Sequence, residues 1–340
     1  MANLAPQIKT LTKKDFLSNQ EVRWCPGCGD YFILSQVQKI FPTLGVPKEN
    51  FAIFSGIGCS SRFPYYMDTY GFHGVHGRAA AMASGAKIAN PDLSVWVVSG
   101  DGDSMAIGGN HFIHLLRRNL DFNLLLFNNR IYGLTKGQYS PTSEQGKKTK
   151  SSPMGSLDYP FNPPQLALGS GGTFIARGID QDPKHMQELL TKAYKHNGTS
   201  FVEIYQNCII FNDGAFSKLV NKDTKADTVL RLERDKPMLF GQKKEKGLRL
   251  VGAKLKVGTI GIDCKLEDIL IHDEHSKTQG LLLSELTYDG NFPTPIGVIY
   301  HNDQPTYEEL VVDQINGAID KFGKGNIDKL FTDGHTWEVK

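Results

Sequence analysis

The chain has 340 residues, 40% of them apolar, which is enough for one large α/β domain with a sizeable core and a smaller appendage. Its 38 Lys and Arg stand against 36 Asp and Glu, a net charge of +2. With no long block of one sign, recognition of nucleic acid or lipid by bulk charge is excluded as an expectation. The opening residues include Lys9, Lys13, Lys14 and Asp15 instead of a secretory apolar stretch, and no apolar run approaches the roughly 18 residues of a membrane span, so a cytoplasmic location is expected. Five cysteines in such a chain suggest metal or redox use more than a disulfide framework.

After an N-terminal segment, residues 1–23, the chain alternates helical patterns with short apolar runs as far as Tyr205. Strands are predicted at 51–55, 93–99, 122–127, 172–176 and 201–205, with helices at 31–41, 77–89, 109–118 and 183–196. This rhythm predicts a doubly wound, mostly parallel α/β sheet with both faces covered, spanning residues 24–220. Residues 132–164 break the rhythm: they are rich in Gly, Pro, Ser, Thr and Lys without a clear period, about twice the usual upper length of a structureless connection. Residues 221–340 turn polar and Lys-rich, then give hairpin-like runs at 248–262 and a helix at 307–322 after Pro305. They read as a small C-terminal extension that contacts a partner.

The apolar run that closes with Val97, Val98 and Ser99 ends directly in Gly100-Asp101-Gly102-Asp103, and the next strand ends in Asn128-Asn129. Ligands of open α/β sheets bind at the carboxyl ends of strands, where glycines admit a close backbone and helix N-termini attract phosphate. A Gly-Asp-Gly turn alone is weak. An acidic oxygen and an amide oxygen emerging from successive strands suit Mg²⁺ held jointly with phosphates. The segment from Gly100 to Asn129 resembles the thiamine-diphosphate motif of the transketolase and pyruvate-oxidase superfamily. That resemblance implies a diphosphate-binding (PP-type) domain, with Asp101, Asn129 and the Ile131 carbonyl as Mg²⁺ ligands. Gly100, Gly102 and Asp103 would lie against the diphosphate.

Cys25-Pro-Gly-Cys28 is a short-spaced pair; Cys59 follows in Gly56-Ile-Gly-Cys-Ser-Ser61, and Cys208 comes just after the last predicted strand. Four thiolates can hold zinc or an iron–sulfur cluster, and spacing alone does not separate these from a redox dithiol. The context is more specific. Trp24-Cys-Pro-Gly-Cys-Gly29, the Gly56 to Ser61 run, His73-Gly-Val-His-Gly-Arg-Ala79, Asn110-His111, Asn129-Arg-Ile-Tyr-Gly133 and Gly137-Gln-Tyr-Ser-Pro-Thr142 together resemble the β subunit of 2-oxoacid:ferredoxin oxidoreductases, most like those acting on 2-oxoglutarate. The resemblance covers most of residues 24–210 and is weak beyond.

It implies one four-iron, four-sulfur cluster on Cys25, Cys28, Cys59 and Cys208, with Gly58 and Ser60 at the thiamine site. It also implies CoA-dependent oxidative decarboxylation of a 2-oxoacid with reduction of ferredoxin, or the reverse carboxylation. The eight further cysteines of the long single-chain pyruvate enzymes are missing, so electrons must leave from a single cluster. The second thiamine half-site belongs to an α subunit in that family, which makes a partner chain obligatory.

Arg62, three residues beyond Cys59, suits bidentate recognition of a carboxylate and so favours 2-oxoglutarate over pyruvate or branched-chain acids; a salt bridge is its plainer role. His73 and His76 would assist proton transfer or phosphate contact, or else serve as core or capping residues. His111 and His114 read as packing residues, and Cys264 as an ordinary thiol. Lys147, Lys148 and Lys150 form a solvated run that could alternatively meet the phosphates of coenzyme A. The rival readings are a non-oxidative thiamine enzyme, which has no use for four placed cysteines, and a zinc-bound adaptor without catalysis.

Overall fold

The computed structural model describes residues 11–334 and 336–339; Lys9 lies outside the described residues. Eleven strands are present among them: β1 (Phe51–Ser55), β2 (Tyr70–His73), β3 (Ser94–Gly100), β4 (Phe122–Asn128), β5 (Phe174–Ile179), β6 (Thr199–Tyr205), β7 (Val229–Arg231), β8 (Leu239–Phe240), β9 (Lys246–Val251), β10 (Lys254–Thr259) and β11 (Thr294–His301). Eight of these form one sheet in the order β2-β1-β3-β4-β6-β5-β11-β7, and β10-β9-β8 form a small antiparallel one. All neighbours from β2 to β5 run parallel, whereas β11 is antiparallel to β5. The expected doubly wound, mostly parallel sheet is therefore present.

Strand residues alternate between two cores because successive side chains leave a sheet on opposite faces. Ala52, Phe54, Val95, Val97, Leu124 and Leu126 pack with α2 (Ala79–Ala89) and α4 (Gly109–Arg118). Ile53, Trp96, Val98, Leu125 and Phe127 pack with α1 (Asp30–Ile40) and the helix Pro183–Lys195. The latter starts as its sequence asks, with Pro183 in the first turn and the Asp182 side chain capping the His185 N–H. Helix α4 stops at Asn119, which adopts φ 53° in the left-handed region that Asn tolerates. A one-turn helix, α3 (Asp101–Ser104), separates β3 from α4.

Two strands of the C-terminal stretch, β7 and β11, extend the main sheet itself, an arrangement that periodicity does not reveal. Within β11, Pro295 and Gly297 interrupt the strand signature; Gly297 takes φ 115° and the register shifts between Val298 and Tyr300. The hairpin expected at 248–262 is β9 and β10, and the helix Tyr307–Phe322 has its predicted bounds. No helix among the described residues is long and apolar enough to cross a membrane.

Candidate active site

The carboxyl ends of β1, β3, β4 and β6 lie side by side, so the segments that follow them converge on one edge of the sheet. Asp101, directly after β3, is 2% exposed, and no Lys or Arg pairs with it among the described residues. Burial pushes its carboxyl pKa up, although hydrogen bonds from Ser140 and Thr142 oppose this. The Ser140 hydroxyl donates to Oδ2, and that of Thr142 lies 2.6 Å from the same oxygen and 2.9 Å from Asn128 Oδ1. The long connection 132–164 thus folds back onto the end of β3. Asn129 Oδ1 accepts from the Ile131 N–H at 3.1 Å, its Nδ2 donates to Gln206, and no donor among the described residues reaches the Ile131 carbonyl.

Asp103 is also buried but fully engaged. Its Oδ1 accepts from Ile57 N (3.0 Å), Gly77 N (2.7 Å) and His76 Nδ1 (2.7 Å), and its Oδ2 from Ser99 Oγ (2.6 Å). A Cβ on Gly56 would fall 2.0 Å from this carboxylate, so Gly is required there by close approach. Asp103 therefore clasps the turn after β1 to the turn before α2, and its oxygens are spent on protein donors. His73 likewise bonds within the chain, its Nδ1 2.7 Å from the Ser61 carbonyl.

Ser60 Oγ is buried without a partner, 3.4 Å from where a Cβ on Gly100 would sit. Arg62 donates Nε to Tyr66 Oη at 2.9 Å, and no carboxylate pairs with its guanidinium among the described residues. Gly58 has φ 128° in the turn between them. Gly102 is demanded by Tyr132, whose ring would meet a Cβ at 2.2 Å and whose hydroxyl donates to the Gly102 carbonyl.

The four cysteines expected to act together gather at the same edge. Cys59 Sγ and Cys208 Sγ lie 3.6 and 3.5 Å from the Cβ position of Gly133. Burial pushes the Cys59 thiol up to about 12, and raises those of Cys28 and Cys208, with Asp30 adding to each. Asp30, two residues after Cys28, is itself pushed up to about 7 by burial and by Asp180. Such thiols become thiolates only when a metal supplies compensating charge. Cys25 is exposed, Trp24 Nε1 donates to the Cys59 carbonyl at 2.7 Å, and Gln206 Nε2 lies 3.3 Å from Cys28 Sγ. Cys264 is elsewhere, beside Gly258 of the small sheet.

Sequence reasoning missed the residues that brace this edge. Glu203 and Arg177, fully buried on β6 and β5, pair at 2.6 Å; Glu203 also accepts from Asn128 Nδ2, and Arg177 donates to Thr287 Oγ1 and the Pro295 carbonyl. Arg130 holds a left-handed φ of 56° while its guanidinium stacks within 4.8 to 5.4 Å of Tyr288, Phe216 and Tyr205 and pairs with Glu144 at 2.6 Å. A buried charge is tolerable only when paired in this way. The C-terminal stretch supplies Thr287, Tyr288 and Pro295, which ties it to the turn carrying Asn129.

Lys148 and Lys150 are exposed and line an open cleft of about 440 Å³ with Lys136, Ile210 and Phe211, next to the Cys208 turn, whereas Lys147 bonds Asn212. His111 and His114 sit on α4, where burial, Arg78 and His114 lower the His111 pKa. A cavity of about 840 Å³ lies between Asp182, Leu219 and Phe240, and neither Asp101 nor the cysteines line it. At the cofactor edge Ile57, Tyr65, Phe72, Val75 and Ile107 are exposed.

Residues 56–204 match the family model for the thiamine pyrophosphate enzyme, C-terminal TPP binding domain. The chain is 48% identical over 330 residues to 2-oxoglutarate oxidoreductase subunit KorB of Mycobacterium tuberculosis, covering 96% of this chain and 88% of the relative. It is 44% identical over 212 residues to 2-oxoacid:ferredoxin oxidoreductase 1, subunit beta, of Aeropyrum pernix, covering 62% and 65%. Among solved structures, 2-oxoglutarate:ferredoxin oxidoreductase from Magnetococcus marinus, with 2-oxoglutarate, coenzyme A and succinyl-CoA bound, superposes with a TM-score of 0.77 at 32% identity, covering 97% of this chain and 98% of that one. With the thiamine edge and the cysteine set in one place, the chain belongs to the family of 2-oxoacid:ferredoxin oxidoreductase β subunits, alongside the 2-oxoglutarate enzymes.

Proposed function

We infer that this chain is the β subunit of a 2-oxoglutarate:ferredoxin oxidoreductase, which converts 2-oxoglutarate and coenzyme A to succinyl-CoA and carbon dioxide, or runs the reverse carboxylation. The observation that carries the reading is the meeting, in one turn, of the Asn129 to Ile131 segment and Gly133, whose Cβ position is flanked by the sulfurs of Cys59 and Cys208. When bound, thiamine diphosphate supplies the carbon–carbon bond cleavage, and a one-electron cluster beside it receives the electrons.

The chain's own residues have distinct tasks in this reading. Asp101, Asn129 and the Ile131 carbonyl hold Mg²⁺: a buried carboxylate with no cationic partner, an amide oxygen and an unused carbonyl are the hard donors this ion takes. Gly100, Gly102, Gly58 and the unpartnered Ser60 hydroxyl form the diphosphate cradle. Asp103 and His76 act as positioning residues, because their bond fixes the two turns that flank the cradle. His73 steadies the same wall.

Cys25, Cys28, Cys59 and Cys208 hold the [4Fe–4S] cluster.

Arg62 orients the distal carboxylate of 2-oxoglutarate with its free guanidinium face. Lys136, Lys148 and Lys150 meet the phosphates of coenzyme A at the cleft beside the Cys208 turn. The α subunit covers the open edge, where Ile57, Tyr65, Phe72, Val75 and Ile107 are exposed together, and ferredoxin carries the electrons away. Anaerobic purification with the α subunit, followed by dye reduction against a panel of 2-oxoacids, tests the reading. 2-Oxoglutarate is expected to be turned over fastest, and a preference for pyruvate or a branched-chain acid would refute it.

A further inference from the structure

At the opposite end of the sheet, we propose that His196, His301 and Asp303 form a binding site for a divalent transition metal of the zinc class. His301 closes β11 opposite Phe174, the first residue of β5, so it lies at the amino ends of the parallel strands. His196 follows the helix Pro183–Lys195, just ahead of β6. One ligand atom from each of the three residues lies within 4.8 Å of the other two.

The state of His196 points to a ligand. It is 5% exposed, and its Nδ1 is buried with no hydrogen-bond partner. Its Nε2 is held 2.8 Å from Thr173 Oγ1, and that oxygen lies 2.6 Å from Asn119 Oδ1. A histidine that binds metal through one nitrogen has the other fixed by such a contact, whereas an orphaned buried nitrogen is otherwise a net cost.

His301 presents its two ring nitrogens to two carboxylates. Its Nε2 lies 3.1 Å from Asp303 Oδ1, while its Nδ1 lies 3.7 Å from Glu274 Oε1, a buried carboxylate also reached by Arg234 at 3.3 Å. At that distance Glu274 supplies a nearby negative charge to the imidazole and no hydrogen bond. The two rings are 5.1 Å apart at 84°, so they approach the shared space from different directions. A simple His301–Asp303 ion pair would leave the His196 nitrogen unexplained. Two imidazoles and one carboxylate, with a position open toward solvent at exposed Asp303, suit zinc and its neighbours better than calcium or magnesium. The metal would staple the end of β11 to the turn before β6, and the assignment is independent of the redox chemistry.

The test uses the full chain with its cluster, dialysed against EDTA and then against zinc sulfate, with zinc and iron counted per chain. The expected result is one retained zinc with iron unchanged, lost in Asp303→Ala and in His301→Ala, and a zinc-dependent rise in Tm confined to the wild type. Asp303 is exposed, so its variant folds even if the His301 variant does not. Retention of no zinc by the wild type, zinc gained only as iron is lost, or equal zinc in the wild type and Asp303→Ala overturns the proposal.

Discussion

Arg62 and Gly56 make the most direct demands at the scale of single residues. If the Arg62 guanidinium grips the distal carboxylate of 2-oxoglutarate, Arg62→Ala removes charged hydrogen bonds worth about 1.5 to 3 kcal/mol. Its kcat/KM for 2-oxoglutarate should then fall roughly 10- to 100-fold, while the slow turnover of pyruvate stays nearly level; an equal loss on both substrates would reject the role. Gly56→Ala places a Cβ 2.0 Å from the Asp103 carboxylate and must displace the clasp that fixes both flanking turns. Thiamine diphosphate should bind on the order of tenfold or more weakly in that variant while circular dichroism stays native, because small misplacements at a preorganised site are amplified. Asp101 and Asn129 stand out in the sequence because each directly follows an apolar strand. Ser140 and Thr142 received no role because they approach Asp101 from a long loop without a period, and Asp103 looked like a diphosphate contact because a sequence does not display the four donors it meets.

Among the elements, β5 and β6 carry the bracing pair Arg177–Glu203. Glu203→Gln leaves a buried guanidinium without its counter-charge, at a cost of about 3 to 5 kcal/mol, which denaturant unfolding measures directly; an unchanged midpoint would show that the pair does not brace the sheet. The helix Pro183–Lys195 holds His185, whose pKa is lowered to about 4, chiefly by burial and then by Arg231. A group with a depressed folded-state pKa contributes stability above its unfolded value of 6.5, and that contribution is lost as pH falls toward 4. Asp180, raised to about 6 by burial, acts in the opposite sense: its contribution is present below 3.8 and is lost as pH rises through about 6. The comparison with His185→Gln isolates the histidine, because Tm should fall more steeply between pH 6.5 and 4 in the wild type than in the variant. The elements with clean alternation or helical period were legible in the sequence, often to within two residues. β2, exposed along its length, and β11, interrupted by Pro295 and Gly297, were not, since neither presents the pattern of a buried strand.

For the whole molecule, the family was visible in the motifs around the cysteines and the Gly100 to Asn129 segment, whereas the path of the C-terminal stretch was not. That stretch adds two strands to the sheet and sends Thr287, Tyr288 and Pro295 to the back of the site, contacts that span more than a hundred residues and leave no local trace. The open cofactor edge with its exposed apolar rim predicts that thiamine diphosphate is retained by the αβ complex and lost from the isolated chain on gel filtration; equal retention by both would argue against a shared site. The most direct test is the visible absorption of the αβ complex under anaerobic conditions. The αβ complex is expected to be brown, to bleach much faster on addition of 2-oxoglutarate with coenzyme A than with pyruvate, and to lose its colour in Cys208→Ser. A colourless, zinc-containing complex, or a brown one that 2-oxoglutarate leaves unchanged, would contradict the proposed function.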